Sequence, residues 1–224
     1  VRYCAYSPCF RAEAGAAALR SLGFAARAAA FDVTDLAMVT DSMGAVGPLD
    51  ILINNAGNAG GDGWTAMAPF HTTSPSDWAK FIDVNLYGVM HCVHAALPGM
   101  IQHKWGRVIT IISDAGRVGE PSMAAYAAAK GGAAAFTRAV AHEVGRHHIT
   151  ANNISLGTMR TPLSEERWAN ISEADAKVVL QRYLVRRPGL PADVAALALY
   201  LASDGAEWVT AQTYPLNGGY SSAL

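Results

Sequence analysis

The feature that most constrains the fold is a continuous run of β-branched residues from Val108 to Ile112. Because the run is short and lacks polar alternation, it predicts a strand that is covered on both faces. A second run spans Leu49–Ile53, and strand-like segments at Val1–Ser7, Thr150–Ser155 and Val209–Leu216 alternate with helical patterns. This alternation predicts one α/β domain over residues 1–224, a doubly wound, Rossmann-type parallel sheet with helices on both faces.

Helical patterns fill the intervals between the predicted strands. Gly23 ends the first helix, and Pro191 occupies the first turn of the last one. The segment at about 162–185 carries Trp168 and mixed charge, and it is predicted to form a small lid of short helices. The longer predicted helices span Arg11–Leu22, Leu36–Met43, Ser76 to about His103, Met123–Arg146 and Pro191–Ala202.

Composition excludes several classes of protein. Seventeen basic and 18 acidic residues give a net charge of −1, which provides no electrostatic footprint for nucleic acid. No apolar run approaches the roughly 20 residues that a membrane span needs, and no signal segment opens the chain. The three cysteines, Cys4, Cys9 and Cys92, lack metal-binding spacing. We interpret them as reduced thiols of a cytoplasmic protein without a metal site.

A candidate proton-transfer site begins where the central strand ends, at Ser113. Tyr126 and Lys130 follow in an alanine-rich, helical segment, and residues four apart share one helix face. An ammonium beside a phenol stabilises the phenolate, so we expect Lys130 to lower the pKa of Tyr126. Alone, such a pair is more often a solvated helix face; the strand, the terminal serine and the intervening loop favour catalysis.

Two further segments carry candidate ligand-binding side chains. The run Asn54-Asn55-Ala56-Gly57 directly follows a buried strand, at the edge where parallel sheets bind ligands. Its small residues would let a flat cofactor approach the backbone. Asn85 lies within a predicted helix, although asparagine is a poor residue in a helix interior because its side chain competes for backbone hydrogen bonds.

The combination of Asn-Asn-Ala-Gly, a strand-terminal serine and Tyr-x-x-x-Lys resembles the classical short-chain dehydrogenase/reductase family. The resemblance implies an NAD(P)-dependent oxidoreductase that interconverts a secondary alcohol and a ketone by hydride transfer. It implies that Tyr126 is the general acid or base, that Lys130 lowers its pKa and binds the ribose, and that Ser113 orients the substrate oxygen. Asn85 matches the family asparagine that interrupts its helix and holds a water linked to the lysine.

The resemblance also assigns the nicotinamide cofactor to the carboxyl edge of the sheet. Leu156 replaces the proline of the family's Pro-Gly, whereas Gly157 is retained. The segment that matches the family's second strand ends in Ala5-Tyr6-Ser7. It lacks the acidic side chain that hydrogen-bonds the ribose diol of NAD, and this absence favours NADP over NAD. The cofactor-binding residues implied are Ser7, Asp32, Val33, Asn54, Ala56, Gly57, Tyr126, Lys130, Gly157, Met159 and Thr161.

One family motif is missing from the sequence, the glycine-rich turn after the first strand that cradles the pyrophosphate. The segment from Val1 to Asp32 fits the family's second strand, second helix and third strand instead. We therefore expect that a strand, loop and helix of roughly 30 residues precede Val1 in a longer chain. Without that strand, two neighbouring strands of the sheet are expected to remain unpaired.

Alternatives remain for the activity, and an assembly is expected. The chain could reduce 3-oxoacyl thioesters, or it could be a cofactor-binding relative that no longer turns over. The small residues around the helix Met123–Arg146, together with the resemblance, predict a homotetramer with a second interface at Tyr214–Leu224. A small-molecule carbonyl or alcohol is the expected substrate, in a pocket shaped by Asn58, Trp64, Asp114, Gly116, Glu120 and Trp168.

Overall fold

The parallel sheet places the ends of its strands along one edge. The computed structural model describes residues 3–5, 9–57, 68–161 and 164–222. Over these residues five parallel strands pair in chain order, so that their carboxyl ends share an edge. The strands are β1 (Tyr3–Ala5), β2 (Ile51–Asn54), β3 (Gly106–Ser113), β4 (Ile149–Leu156) and β5 (Thr213–Leu216).

Helices cover both faces of the sheet, as predicted. One apolar core lies between the sheet and three helices, α2 (Leu36–Val46), α4 (Gly88–His103) and α6 (Ala124–Val144). A second core lies under the helix α9 (Pro191–Ala202). In β3 and β4, every residue except the last is buried. In β3 this burial explains the continuous β-branched run from Val108 to Ile112, whereas β4 also buries polar residues such as Asn152 and Asn153. The helices are α1 (Cys9–Ser21), α2 (Leu36–Val46), α3 (Pro75–Ile82), α4 (Gly88–His103), α5 (Ala115–Val118), α6 (Ala124–Val144), α7 (Glu165–Asn170), α8 (Glu173–Leu180) and α9 (Pro191–Ala202).

The predicted lid coincides with two short helices, α7 and α8, in the described part of the segment at about 162–185. Their acidic residues lie in the first turns, where they complement the helix dipole. Within the described residues, no helix is both long and apolar enough to cross a membrane. Three residues to which the sequence assigned a role, Ser7, Asn58 and Trp64, lie outside the described residues.

The amino-terminal part of the sheet differs from the expectation. Instead of leaving unpaired neighbours, β1 pairs directly with β2, with Tyr3 opposite Ile51 and Ala5 opposite Ile53. The backbone groups at this side of β2 thereby obtain partners. Residues 25–31, which the sequence assigned to a strand of the family, form no strand here. Their alanines are exposed or half-exposed, and only Phe31 is buried.

The last strand is shorter than predicted, starting at Thr213 rather than at Val209. Ala211 adopts a left-handed backbone conformation with φ of 59°, which interrupts an extended segment. The Asn152 side chain instead holds this part of the chain, donating to the Val209 carbonyl at 2.7 Å and accepting from the Gln212 N–H at 3.1 Å.

Candidate active site

Asn85 lies at a break between two helices. The chain passes from α3 into α4 through a π-helical turn over Asp83–Tyr87, an irregularity that is frequent at functional sites. The side chain is fully buried, and its Nδ2 donates to the Phe81 carbonyl at 3.0 Å. The turn therefore fixes the Asn85 amide inside the protein instead of exposing it on a helix surface.

Lys130 reaches from α6 to the central strand. Its Nζ donates to the carbonyl of Ile111 on β3 at 3.0 Å, and only 5% of the residue is exposed. Burial disfavours the ammonium form and lowers the pKa of Lys130 to about 8. A cation so deeply buried on an otherwise alanine-rich helix is costly, which is typical of a functional rather than a structural lysine.

Gly57 brings the loop after β2 against both side chains. A Cβ atom at Gly57 would lie 2.9 Å from Asn85 Oδ1 and 3.1 Å from Lys130 Nζ. These distances leave no room for a larger residue unless the two polar groups move. The loop Asn54–Gly57, the π-helical turn and α6 therefore meet at one point on the carboxyl edge of the sheet.

Tyr126 is one turn before Lys130 on α6, and Ser113 is its hydrogen-bond partner from the end of β3. Phe81 packs edge-on against the Tyr126 ring, with 6.1 Å between the ring centroids. The Lys130 Nζ lies 6.0 Å from the Tyr126 centroid. The structure thus brings together the four residues to which the sequence assigned catalytic roles.

The expected direction of the Tyr126 pKa shift is wrong. Burial raises the pKa of Tyr126 above its ordinary value, and the hydrogen bond with Ser113 opposes this only in part. Lys130 does not reverse the effect because its Nζ is directed to the Ile111 carbonyl. At neutral pH Tyr126 is therefore a neutral phenol that can donate a proton.

A cleft opens beside the carboxyl end of β2. Asn54 is buried in its wall and donates to Thr110 Oγ1 at 3.4 Å, while Gly88 approaches Val33 closely. The cleft is lined by Phe31, Val33, Leu52, Ile53, Asn54, Asn55, Ala56, Gly88, Val89 and Cys92. Of the predicted cofactor residues, Val33, Asn54 and Ala56 share this cleft, whereas the exposed Asp32 accepts hydrogen bonds from Thr34 beside it.

His91 is a residue that sequence reasoning missed in this region. Its Nδ1 lies 2.9 Å from the Val33 carbonyl, which connects α4 to the loop before α2. The two residues are far apart in the chain, and a histidine on a helix carries no local pattern that announces such a contact. His91 thereby fixes one wall of the cleft.

The loop after β4 is supported by Tyr183, a second residue that the sequence did not single out. The Tyr183 hydroxyl donates to Thr158 Oγ1 at 2.7 Å and accepts from the Thr158 N–H at 3.1 Å. A Cβ atom at Gly157 would lie 3.1 Å from both Tyr183 Cε1 and Asn217 Cα. A larger residue at this position would therefore have to displace Tyr183 or Asn217 slightly.

Met159 and Thr161 continue the same loop. Met159 forms an isolated bridge with Gly189, and Thr161 is held by Ser164, whose Oγ accepts from the Thr161 N–H at 2.8 Å. These contacts order the loop at the base of the lid. The structure therefore places the predicted residues Gly157, Met159 and Thr161 in one segment, next to the carboxyl end of β4.

Two residues expected to shape the pocket do not line it. Asp114 is 3% exposed and its carboxylate is enclosed by hydrogen-bond donors. Gly116 packs on α6, where a Cβ atom would lie 2.7 Å from the Gly131 nitrogen. Asp114 directly follows Ser113 and Gly116 lies three residues after it, so both are close to the site in the chain, but Asp114 is directed into the protein and Gly116 packs on α6.

Comparisons with known proteins show which proteins this chain resembles. The family model described as enoyl-(acyl carrier protein) reductase matches residues 9–221. The inactive 2-(S)-hydroxypropyl-CoM dehydrogenase 2 of Xanthobacter autotrophicus is 35% identical over 92% of this chain and 89% of its own length. The 3-oxoacyl-(acyl-carrier-protein) reductase of Staphylococcus aureus is 31% identical over 93% of this chain and 82% of its own.

A solved structure is similarly close. The gluconate 5-dehydrogenase from Burkholderia cenocepacia, crystallised in complex with NADP and tartrate, superposes with a TM-score of 0.84. It is 32% identical, and the match covers 94% of this chain and 81% of that chain. Sequence and structure thus agree on the same group of oxidoreductases.

Proposed function

This chain belongs to the short-chain dehydrogenase/reductase family and is an NAD(P)-dependent oxidoreductase acting on the CH–OH/C=O couple, and we propose that Asn85, Ser113, Tyr126 and Lys130 carry its chemistry. The observation that supports this assignment most strongly is the convergence of two of these side chains, Asn85 and Lys130, at Gly57. Asn85 Oδ1 and Lys130 Nζ both lie within about 3 Å of the point where a Gly57 Cβ would be.

Each side chain receives a distinct role in carbonyl reduction. Tyr126 donates the proton to the substrate oxygen as a general acid, which its raised pKa permits at neutral pH. Ser113, which is hydrogen-bonded to Tyr126, orients that oxygen. Lys130 and the buried Asn85 form the inner part of the proton relay that serves Tyr126. In the oxidation direction, Tyr126 must first lose its proton.

The residues present fit a nicotinamide dinucleotide. The cleft beside β2 accepts a flat group, and Gly57 and Gly157 lack the Cβ atoms that would block approach to the backbone. Val33, Asn54, Ala56 and Gly57 would hold one end of the cofactor, and the loop from Gly157 would hold the other. When bound, the cofactor supplies or accepts the hydride.

We propose NADP rather than NAD as the preferred cofactor, from the absence of an acid in Ala5-Tyr6-Ser7. An acidic side chain at this point would repel the 2′-phosphate of NADP. The solved relative from Burkholderia cenocepacia holds NADP. Measured kcat/KM values for NADPH and NADH decide the preference.

A second candidate activity is the reduction of 3-oxoacyl thioesters. The observation in its favour is the 31% identity to a 3-oxoacyl-(acyl-carrier-protein) reductase over 93% of this chain. A third candidate is a cofactor-binding protein without turnover. The observation in its favour is the similarity to the Xanthobacter autotrophicus relative, whose name describes it as inactive. The complete set of four polar side chains argues against loss of activity.

One assay separates these candidates. Purified protein is incubated with NADPH or NADH and a panel of free ketones and 3-oxoacyl thioesters, and the loss of nicotinamide absorbance is recorded. Consumption with ketones supports the proposal, and consumption restricted to thioesters supports the second candidate. Cofactor binding without consumption of any substrate contradicts both and identifies a non-catalytic relative.

Location and assembly complete the proposal. The three cysteines without metal-binding spacing support a cytoplasmic protein with reduced thiols. The face of small residues on α6 supports a homotetramer, whose test is described in the Discussion. Besides the nicotinamide cofactor, the chemistry of the site requires a small carbonyl or alcohol as substrate.

A further inference from the structure

Asp114 is a buried carboxylate that the proposed mechanism does not use. It follows Ser113 directly at the end of β3, and it is 3% exposed. Its backbone N–H donates to the Leu156 carbonyl at 3.0 Å, which continues the pairing of β3 with β4 beyond the strand ends. A charge buried beside a reacting group needs compensation from hydrogen-bond donors.

Four side chains donate to this carboxylate. Oδ1 accepts from Ser155 Oγ at 2.7 Å and from the Arg117 guanidinium at 3.0 Å. Oδ2 accepts from Ser221 Oγ at 2.8 Å and from the Asn217 amide. Burial alone would raise the pKa of Asp114, but the hydrogen bonds from the four donors together outweigh it, and the pKa lies below its ordinary value. The group is therefore a fully bonded anion.

The same hydrogen bonds extend to the loop after β4. Asn217, held by Asp114, packs so closely on Gly157 that a Cβ atom there would lie 3.1 Å from Asn217 Cα and 3.2 Å from its Cβ. The Gly157 N–H donates to the Leu216 carbonyl at 3.3 Å. Asp114 is thus bonded directly to the residue against which the Gly157 backbone rests.

A second contact ties the carboxyl-terminal segment 217–221 to the loop after Ser113. The Tyr220 hydroxyl donates to Glu120 of that loop, and the Arg182 guanidinium lies 3.5 Å from the Glu120 carboxylate. The segment is therefore anchored twice, by Asp114 on its buried side and by Glu120 near the surface. Two anchors hold it in one orientation relative to Ser113.

We infer that Asp114 is a positioning residue, which uses Asn217 to hold the Ser113 hydroxyl and the Gly157 loop at a fixed separation. The inference rests on the proposed function, in which Ser113 orients the substrate oxygen and the Gly157 loop faces the nicotinamide. Hydride transfer depends steeply on the alignment of these two groups. A substitution that leaves the fold intact but releases Asn217 should therefore slow the chemical step.

The test is Asp114→Asn, which keeps the size of the side chain but replaces one acceptor oxygen by a donor. We expect kcat to fall by about tenfold or more, while KM for the cofactor changes by less than about threefold, because alignment rather than binding is lost. Asp193→Asn is the matched control. It removes an exposed carboxylate that binds Arg187 and caps α9, so it destabilises the chain away from the site.

A double variant, Asp114→Asn with Asn217→Asp, restores one amide and one carboxylate in reversed order. We expect it to recover most of the lost kcat, which a merely structural defect would not do. If Asp114→Asn fails to fold, Ser221→Ala removes a single donor, and a smaller loss of kcat in the same direction is expected. Retention of kcat within about twofold of the parent enzyme by the folded variant would overturn the inference.

Crystal structures of the parent protein and Asp114→Asn supply a readout that does not depend on activity. We expect the distance from Ser113 Oγ to Gly157 Cα to differ between them by more than the coordinate error. An unchanged distance overturns the inference, even for a protein that is inactive on every carbonyl tested. Inactivity of the parent protein, by contrast, contradicts only the proposed function.

Discussion

Burial acts in opposite directions on the two ionisable residues of the site. It raises the pKa of Tyr126 and lowers that of Lys130 to about 8, because in each case the neutral form is favoured. Spacing alone predicted that the cation would acidify the phenol. The geometry shows instead that the Lys130 ammonium binds the Ile111 carbonyl, and that Tyr126 remains a proton donor.

Replacement of Tyr126 by Phe is expected to remove the proton donor and little else. Since general acid catalysis contributes about 10²–10⁴ in rate, kcat should fall to below a few per cent of that of the parent enzyme. The dissociation constant of the cofactor, measured by fluorescence titration, should stay within about twofold. A variant that keeps more than a few per cent of kcat contradicts the assigned role.

Replacement of Lys130 by Met is expected to stabilise the protein while it inactivates the enzyme. The folded-state pKa of about 8 lies below the ordinary 10.5, so between these values the unfolded chain binds more protons and stability rises with pH. Near neutral pH the buried lysine therefore costs about 3 kcal/mol of unfolding free energy, and this cost disappears as the pH rises above about 10.

Urea denaturation of both proteins across this pH range measures the effect. The stability advantage of Lys130→Met should shrink by about 3 kcal/mol between pH 7 and a pH above about 10, because only the parent protein loses a proton from a buried site. Lys177→Met, on the partly exposed helix α8, is the matched control. Parallel curves for parent and Lys130→Met contradict the assigned burial cost.

At the scale of elements, the loop after β2 and the π-helical turn depend on each other through Gly57. A Gly57→Ala substitution places a methyl group about 3 Å from both Asn85 Oδ1 and Lys130 Nζ. We expect kcat to fall by about 10–100-fold, since these polar ends must move, with a change in unfolding free energy below about 1 kcal/mol.

Gly44→Ala in α2 is the control for Gly57→Ala, because nothing lies within 4 Å of its added Cβ. It should leave kcat unchanged and raise the unfolding free energy by about 0.5–1 kcal/mol. Full activity of Gly57→Ala would show that the two side chains need not meet at this loop.

Elements with local signals were predictable from the sequence. The strands β2 and β3 follow continuous apolar runs, and α9 begins with a proline in its first turn. The observed bounds of these elements and of β4 lie within a few residues of the predicted ones. The break at Asn85 was implied by the family resemblance, whereas the local pattern predicted one continuous helix from Ser76 to about His103. By contrast, the start of β5 depends on the left-handed backbone of Ala211 and on the Asn152 side chain. Neither feature produces a periodic pattern in the sequence.

Contacts between distant segments could not be predicted. Asp114 binds Asn217 across 103 positions of sequence, and His91 reaches Val33 across 58. Such pairs have no shared spacing, so only the folded chain brings them together. The direction of the Tyr126 pKa shift was missed for the same reason, because burial depends on packing rather than on the distance to Lys130 in the sequence.

At the scale of the whole molecule, two apolar surfaces remain uncovered in the single chain. On α6, Ala124, Ala128, Ala135 and Ala139 are exposed and recur at helical spacing along one face. Elsewhere, Trp208 is 95% exposed, close in the chain to Leu199 and Tyr200, which are 68% and 46% exposed. Small residues let a second helix approach closely, and large exposed apolar patches indicate protein–protein contact surfaces.

We predict a homotetramer in which two copies pair through α6 about a two-fold axis and two such dimers meet through a second interface. The sequence placed this second interface at Tyr214–Leu224, and we now include Trp208, which precedes that segment in the chain and is 95% exposed. Light scattering at micromolar concentration should give four times the mass of the chain. Trp208→Asp should give dimers, because a carboxylate cannot be buried in an apolar contact without a partner. Leu22→Asp, at an exposed leucine after α1 that belongs to neither surface, is the control and should remain tetrameric. A monomeric parent protein rules out the assembly, and a tetrameric Trp208→Asp variant places the second interface elsewhere.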